Sequence, residues 1–259
     1  MSNTPKPDFK LCIIIPCYNH GREISGYLPI VAAHGIPIIV IDDGSAEEEA
    51  QQIEAACRAT GATYLRCDCN KGKWQAVKVG TTYAKEAGFT HMLQCDADGQ
   101  HDASVIPAFA QTAKEHPQAI ICGTPIYGDD IPKARLKGRC ISNFFATLET
   151  AGACTIDTMC GFRLYPIAAL AKTLAAKSIT NGMPGDIETL VHLFWCGYEI
   201  IAKGVRVIYP EGARSNFHML RDNLRISWAH TKLCTAALLC PWRLFKTRKV
   251  TYIDDSPTG

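Results

Sequence analysis

Two runs near the N-terminus, Lys10–Ile15 and Ile36–Ile41, are dense in Ile and Val and read as strands buried on both faces. Shorter runs at Ala62–Arg66, Thr90–Cys95 and Ala119–Thr124 read the same way. Between them, helical periodicity covers Arg22–His34, Ala46–Thr60, Gly72–Ala87 and Ser104–His116. Gly35, Gly61 and Gly88 fall just past three of these helices, where a left-handed closing residue is favoured. Strand–helix alternation of this kind predicts an α/β fold with a mostly parallel sheet flanked by helices. The second half is less regular. It predicts helices over Arg135–Thr150 and Pro184–Trp195, and a strand over Glu199–Tyr209 broken at Gly204. Leu220, Leu224 and Trp228 then recur every four residues, with Arg221, Arg225 and Lys232 on a neighbouring face, which predicts an amphipathic helix over Met219–Leu239. Pro241 should end or kink it. The predicted division is a flexible N-terminus (1–9), an α/β domain (10–218), a basic amphipathic segment (219–250) and a flexible tail (251–259).

Hydrophobic residues at 47% and charged residues at 20% suit a folded globular chain and exclude disorder, collagen and coiled coil as the main architecture. No run reaches the roughly 18 uninterrupted apolar residues of a bilayer span. The first ten residues are polar and hold two prolines, unlike a secretory signal. These features predict a protein of the cytosol or of the cytosolic face of a membrane. The 13 cysteines lie scattered through apparent strands and helices and read as buried thiols rather than a disulfide framework. The net charge of +2 conceals an asymmetry: Arg214–Lys249 carries eight Lys/Arg against Asp222 alone. That concentration points to an anionic partner, such as phosphates or lipid headgroups. No nucleic-acid-binding motif is recognisable.

The chemistry gathers where strands end. The first strand runs into Pro16-Cys17-Tyr18-Asn19, the second into Asp42-Asp43-Gly44-Ser45 and the fourth into Asp96-Ala97-Asp98-Gly99-Gln100-His101. Carboxylates brought together need a cation to neutralise them. Asp96 and Asp98, two apart at a strand end, point the same way. With the Gln100 carbonyl they form a hard oxygen set suited to Mg²⁺ or Mn²⁺. A solvated turn is the plainer reading of any single such pair. One of Asp42 and Asp43 can cap the following helix, and Asp42, directly after Ile41, can hydrogen-bond a flat ligand such as a nucleobase over the strand ends. Asn70-Lys71-Gly72-Lys73 opens a helix with two cations and a glycine, a ready anion site. A Walker A loop, a GxGxxG turn, a GxSxG elbow and an HExxH pair are all missing, which argues against a P-loop ATPase and a dinucleotide-dependent dehydrogenase.

Taken together, IIIPCYN (13–19), VIDDGS (40–45), NKGKWQAVKVG (70–80) and DADGQH (96–101) resemble a family 2 glycosyltransferase of the GT-A fold, in that family's order and spacing. CGFRLY (160–165) and GMPGDIE (182–188) resemble the later motifs of its dolichol- and polyprenyl-phosphate sugar transferases. The resemblance spans about residues 10–220. It implies a metal-dependent, inverting transfer from a UDP- or GDP-linked sugar to a lipid-linked or membrane-proximal acceptor, in cell-envelope glycan or glycolipid synthesis. Pro16, Tyr18 and Asn19 with Asp42 or Asp43 would hold base and ribose. Lys73, Asp96 and Ala97 would lie along the donor. Asp96, Asp98 and Gln100 would hold Mg²⁺ or Mn²⁺, with His218 as a further ligand or phosphate donor. Arg163 would take a phosphate through its bidentate fork. Asp186 or Glu188 would be the base, or else a helix cap and a first-turn acid. Arg214 and Arg221 are alternative phosphate contacts. The basic helix would lie on an anionic membrane with Trp228 and Trp242 as anchors, or else pack Leu220, Leu224 and Trp228 on the domain. Two rivals differ in class. A sugar nucleotidyltransferase would carry a glycine-rich loop where PCYNHG stands, and a non-catalytic scaffold would have lost the metal acids.

Overall fold

The structure is a computed structural model and describes residues 8–128, 133–208 and 218–253, apart from the side chains of 133–135. Arg214, the 215–217 segment and the 254–259 tail therefore lie outside the described residues. The first half alternates as its pattern predicts: β1 (Leu11–Cys17), α1 (Gly21–Ala32), β2 (Ile38–Asp42), α2 (Glu47–Thr60), β3 (Thr63–Arg66), α3 (Lys73–Glu86), β4 (His91–Gln94), α4 (Ile106–Glu115) and β5 (Ile120–Tyr127). Gly35, Gly61 and Gly88 all take positive φ, as helix-closing residues should. The second half adds α5 (Lys133–Glu149), β6 (Arg163–Pro166), α6 (Ile167–Ala176), α7 (Gly185–Trp195), β7 (Ile200–Val207), α8 (Met219–Leu239) and β8 (Thr251–Tyr252).

Among the described residues, eight strands join one sheet in the order β3-β2-β1-β4-β6-β5-β7-β8. Only β6 runs against its neighbours β4 and β5; the other pairings are parallel. Alternate residues of β1 feed two cores. Cys12 and Ile14 face a layer that includes Trp74 of α3 and Ile187 of α7. Ile13 and Ile15 face Ile24 and Leu28 of α1 and Phe109 of α4. Burial on both faces explains why these strands read as unbroken apolar runs. The chain leaves β1 toward β2 on one side and reaches β4 on the other. The carboxyl ends of β1 and β4 therefore flank a topological switch point, where α/β sheets bind ligands.

Three expectations are corrected. The strand over 199–209 is not broken at Gly204: β7 runs through it, with Gly204 opposite Thr124 of β5. A Cβ there would come within 2.8 Å of Ile126 Cδ1, so the glycine serves a close side-chain approach. The segment read as a flexible tail contributes Thr251–Tyr252 to the sheet beside Ile201–Ala202. Leu220, Leu224 and Trp228 of α8 do not pack on the domain. Leu224 and Trp228 are 64% and 63% exposed, while Ile226, Ala229, His230 and Leu233 face inward. Among the described residues no helix is long and apolar enough to cross a membrane.

At Gly185, where α7 begins, a Cβ would lie 2.3 Å from Cγ of the fully buried Trp74. Gly185→Ala should therefore cost about 1–3 kcal/mol by overpacking. Gly26, inside α1 with nothing near a built Cβ, makes the opposite case. Gly26→Ala should stabilise by up to about 1 kcal/mol through helix propensity. Urea denaturation of both variants checks the pair, and equal midpoints would contradict the packing described.

Candidate active site

The strand-end loops converge on a cleft of about 710 Å³ at the switch point. Pro16, Cys17 and Tyr18 enter from β1, Asp43 from β2, and Asp96, Ala97 and Asp98 from β4. Asn70–Lys73 at the start of α3, the 180–183 loop before α7, and His218, Arg221, Arg225 and Trp228 of the α8 region complete the wall. Loop-to-loop hydrogen bonds fix the floor. Asn19 holds a left-handed backbone (φ 52°) and donates its N–H to Ser45 Oγ, while its Oδ1 accepts the N–H of Ala46 that opens α2. Asn19 thus ties two strand-end loops together rather than lining the cleft.

The two aspartates after β2 divide their roles. Asp42 is fully buried, accepts from Ser45 N–H and the Tyr64 hydroxyl at 2.8 Å each, and lies 3.6 Å from Arg66. It is held away from the cleft, which corrects the expectation that Asp42 meets a flat ligand there. Asp43 faces the cleft and accepts the N–H groups of Lys71 (3.2 Å) and Gly72 (2.7 Å). Burial raises its pKa, and those two N–H donors partly offset the rise. Gly72 has φ 105°, and a Cβ there would stand 2.6 Å from Asn181 O, so only glycine brings the α3 N-terminus this close to the 180–183 loop.

The central contact is Lys73. Its Nζ lies 2.8 Å from Asp96 Oδ1 and 3.0 Å from Asp186 Oδ2. Asp186 also accepts from Gln94 Nε2 at 3.1 Å. A Cβ on Gly161 would fall within 2.4–2.7 Å of the Asp96 carboxylate and Lys73 Nζ, so that glycine vacates the space the ion pair fills. Burial acts to raise the Asp96 pKa, but Lys73 and then His101 outweigh it and hold the carboxyl below its usual range. Among the described residues Asp98 has no such cation in contact: burial and the Asp96 charge push its pKa up. Behind them His101 is buried with Nε2 3.7 Å from Cys160 Sγ. Burial lowers its pKa, and Cys160, Asp96 and Asp98 together bring it up to about 9. The hard-oxygen pair Asp96/Asp98, with one acid short of positive charge, fits a divalent ion of the Mg²⁺ or Mn²⁺ kind.

Of the other expected site residues, Arg163, Glu188 and Gln100 sit outside the cleft lining and His218 within it. Arg163 does not reach the cleft. It is fully buried and donates to the main-chain oxygens of Asp186 (2.7 Å) and Thr158 (2.6 Å), which places it under the site as a brace for α7. Glu188 is engaged by Thr180 N–H and hydroxyl and by Lys232 Nζ at 2.7 Å, tying the 180–183 loop to α8. Gln100 does not line the cleft; its N–H donates to Asp98 Oδ1. His218 lines the cleft from the start of α8, with its N–H donating to Asp222 Oδ2, and is exposed. The expected Asp96–Asp98–Gln100–His218 set is thus assembled only as its aspartate pair, and among the described residues no three His/Cys/Asp/Glu side chains are grouped for a metal. Sequence reading missed Gln94, which holds Asp186, and His20, which also lines the cleft. Gln94 ends β4 as a polar residue in an apolar strand, which is the signal that could have found it.

Four known families or proteins resemble the chain. The family model described as Glycosyl transferase family 2 matches residues 12–173. An uncharacterized protein of Methanocaldococcus jannaschii is 30% identical over 78% of this chain and 90% of its own length. A dolichyl-phosphate beta-glucosyltransferase of Mus musculus is 26% identical over 95% of this chain and 81% of its own. Among solved structures, glucosyl-3-phosphoglycerate synthase from Mycobacterium tuberculosis in complex with Mn²⁺, UDP and glucosyl-3-phosphoglycerate aligns with a TM-score of 0.66. That alignment covers 88% of this chain and 81% of that one at 14% identity, a likeness of fold.

Lys73→Met leaves Asp96 and Asp186 without their shared cation. Removing one partner of a fully buried pair costs about 3–5 kcal/mol; because Asp96 keeps about a quarter of its exposure, the loss expected here is nearer 2 kcal/mol. Adding Asp96→Asn should restore much of it, a coupling that a double-mutant cycle in urea measures. A single variant as stable as the wild type would contradict the contact's role.

Proposed function

The chain belongs to glycosyl transferase family 2, and on that premise we propose that it transfers a sugar from a UDP- or GDP-linked donor to a lipid-linked phosphate acceptor. The carrying observation is the Asp96/Asp98 pair facing the switch-point cleft, with Lys73 between Asp96 and Asp186. In this reading Asp43, Tyr18 and Pro16 receive the base and ribose at the β1–β2 end of the cleft. The donor diphosphate lies toward Asp96, Asp98 and the α3 N-terminus, where Lys71 and Lys73 add positive charge. Asp96 and Asp98 hold a divalent ion there, which when bound supplies Lewis-acid stabilisation of the departing diphosphate. Rupture of the bond between the anomeric carbon and the diphosphate oxygen leaves negative charge on that oxygen, and Lys73 offers a fixed ammonium beside it.

The acceptor side rests on Arg221 and Arg225, which line the same cleft as the donor acids. Guanidinium groups suit a phosphate monoester, and the mouse relative's name specifies a dolichyl phosphate acceptor. A phosphate monoester is already largely ionised near pH 7, with a second pKa of about 6, so it needs little help from a base. Asp186 accordingly acts by orienting Lys73 and by favouring the approach of cationic charge, and Glu188 supports the loop rather than the chemistry. Intact acids at positions 96 and 98 set this reading above a non-catalytic scaffold.

Asp98→Ala should lower transfer at least about a hundredfold, the scale of losing a charge-stabilising group. Its melting temperature should stay level or rise, because a like charge beside Asp96 is removed. Release of UDP or GDP from a panel of nucleotide sugars in the presence of polyprenyl phosphate measures the first quantity. Wild-type turnover in a folded Asp98→Ala protein would overturn the assignment.

A further inference from the structure

The deepest departure from ordinary surface chemistry lies on α5 and α8. The two helices are locked side by side by a buried polar array: His230 Nδ1 is 2.8 Å from Glu149 Oε1, His230 Nε2 is 2.8 Å from Ser142 Oγ, and Cys234 Sγ donates to Glu149 Oε1 at 3.6 Å. Their outward rows are apolar. On α5, Ile141, Phe144 and Leu148 recur at helical spacing and are exposed, Phe144 by 60%. Phe145, whose ring stands 5.3 Å from His230, carries that row to the edge of α8. On α8 the row is Leu220, Leu224 and Trp228, and beyond it Trp242 and Phe245 are exposed, Phe245 by 88%. Exposed apolar rows on two helices packed side by side mark an interaction surface.

Charge selects that partner. Arg221 and Arg225 flank the α8 row, and Arg243, Lys246, Arg248 and Lys249 follow in the next segment. The single acid of α8, Asp222, is buried, holds the His218 N–H and lies 3.4 Å from Arg221 and 3.9 Å from Arg225, so it offsets only part of that charge. A second copy would set one basic rim against another. An anionic bilayer satisfies both features, with apolar rows entering the acyl boundary and basic side chains at the headgroups. We propose that α5 and α8 together form a docking face for an anionic lipid surface, with α5 supplying a second apolar row beside that of the basic helix. The inference rests on the lipid-linked acceptor named above, and it places the cleft mouth on the membrane side, because Arg221, Arg225 and Trp228 belong to both the docking face and the cleft wall. A membrane-borne phosphate would then reach the donor site without its chain leaving the lipid.

The test is co-sedimentation with phosphatidylcholine vesicles, with and without phosphatidylglycerol. The wild type should pellet with the anionic vesicles. Phe144→Glu with Leu148→Glu, on α5 and away from the cleft, should weaken that binding at least about tenfold. Arg221→Glu with Arg225→Glu should do the same through charge. Circular dichroism melts and nucleotide binding of the α5 variant should match the wild type. A wild type that binds nucleotide but ignores anionic vesicles would overturn the docking face and leave the transferase reading standing. So would vesicle binding indifferent to the α5 substitutions, or a wild-type dimer that those substitutions convert to monomer without vesicle binding.

Discussion

A single ammonium, that of Lys73, neutralises carboxylates delivered by two separate elements, Asp96 at the end of β4 and Asp186 in the first turn of α7. Much of the local architecture serves that contact. Gly161 leaves the space it occupies, Gln94 steadies the far oxygen of Asp186, and Arg163 holds the same residue by its main chain. The N-terminus of α3, from which Lys73 projects, is held by Asp43 through two N–H groups and by Asn181 through the N–H of Trp74. Acids that would repel one another are thereby held close around one ammonium, leaving Asp98, among the described residues, without a cation in contact. On the proposed transferase reading, a site in that condition suits a divalent ion with a diphosphate.

Legibility in the sequence followed burial. Strands covered on both faces announce themselves as Ile/Val runs, so β1 and β2 were visible, and their glycine-closed helices with them. The antiparallel β6 was not, because Arg163-Leu164-Tyr165-Pro166 carries a buried arginine and a proline and resembles a loop motif more than a strand. Gly204 misled for the opposite reason: a glycine that normally interrupts a strand here admits Ile126 across the sheet.

At the site, residue type located the cleft but not each side chain's direction. Asp42 and Asp43 are adjacent in sequence, and only the Ser45 and Tyr64 contacts of the first show which faces away. Arg163 and Glu188 carry phosphate-binding and basic chemistry on paper, yet both are consumed by main-chain and interhelical partners. Three-dimensional partnership of that kind leaves no periodic trace. The basic helix is the reverse case, since its charge pattern was plain and the structure adds that its apolar row points outward beside that of α5.

Isothermal calorimetry with UDP and with GDP, each in Mn²⁺ and then in EDTA, tests most directly the claim that the strand-end acids form a metal-assisted nucleotide site. The account predicts that one of the two nucleotides binds in Mn²⁺ and that EDTA removes the binding. Folded protein that binds neither nucleotide, or binds one equally well in EDTA, would contradict it.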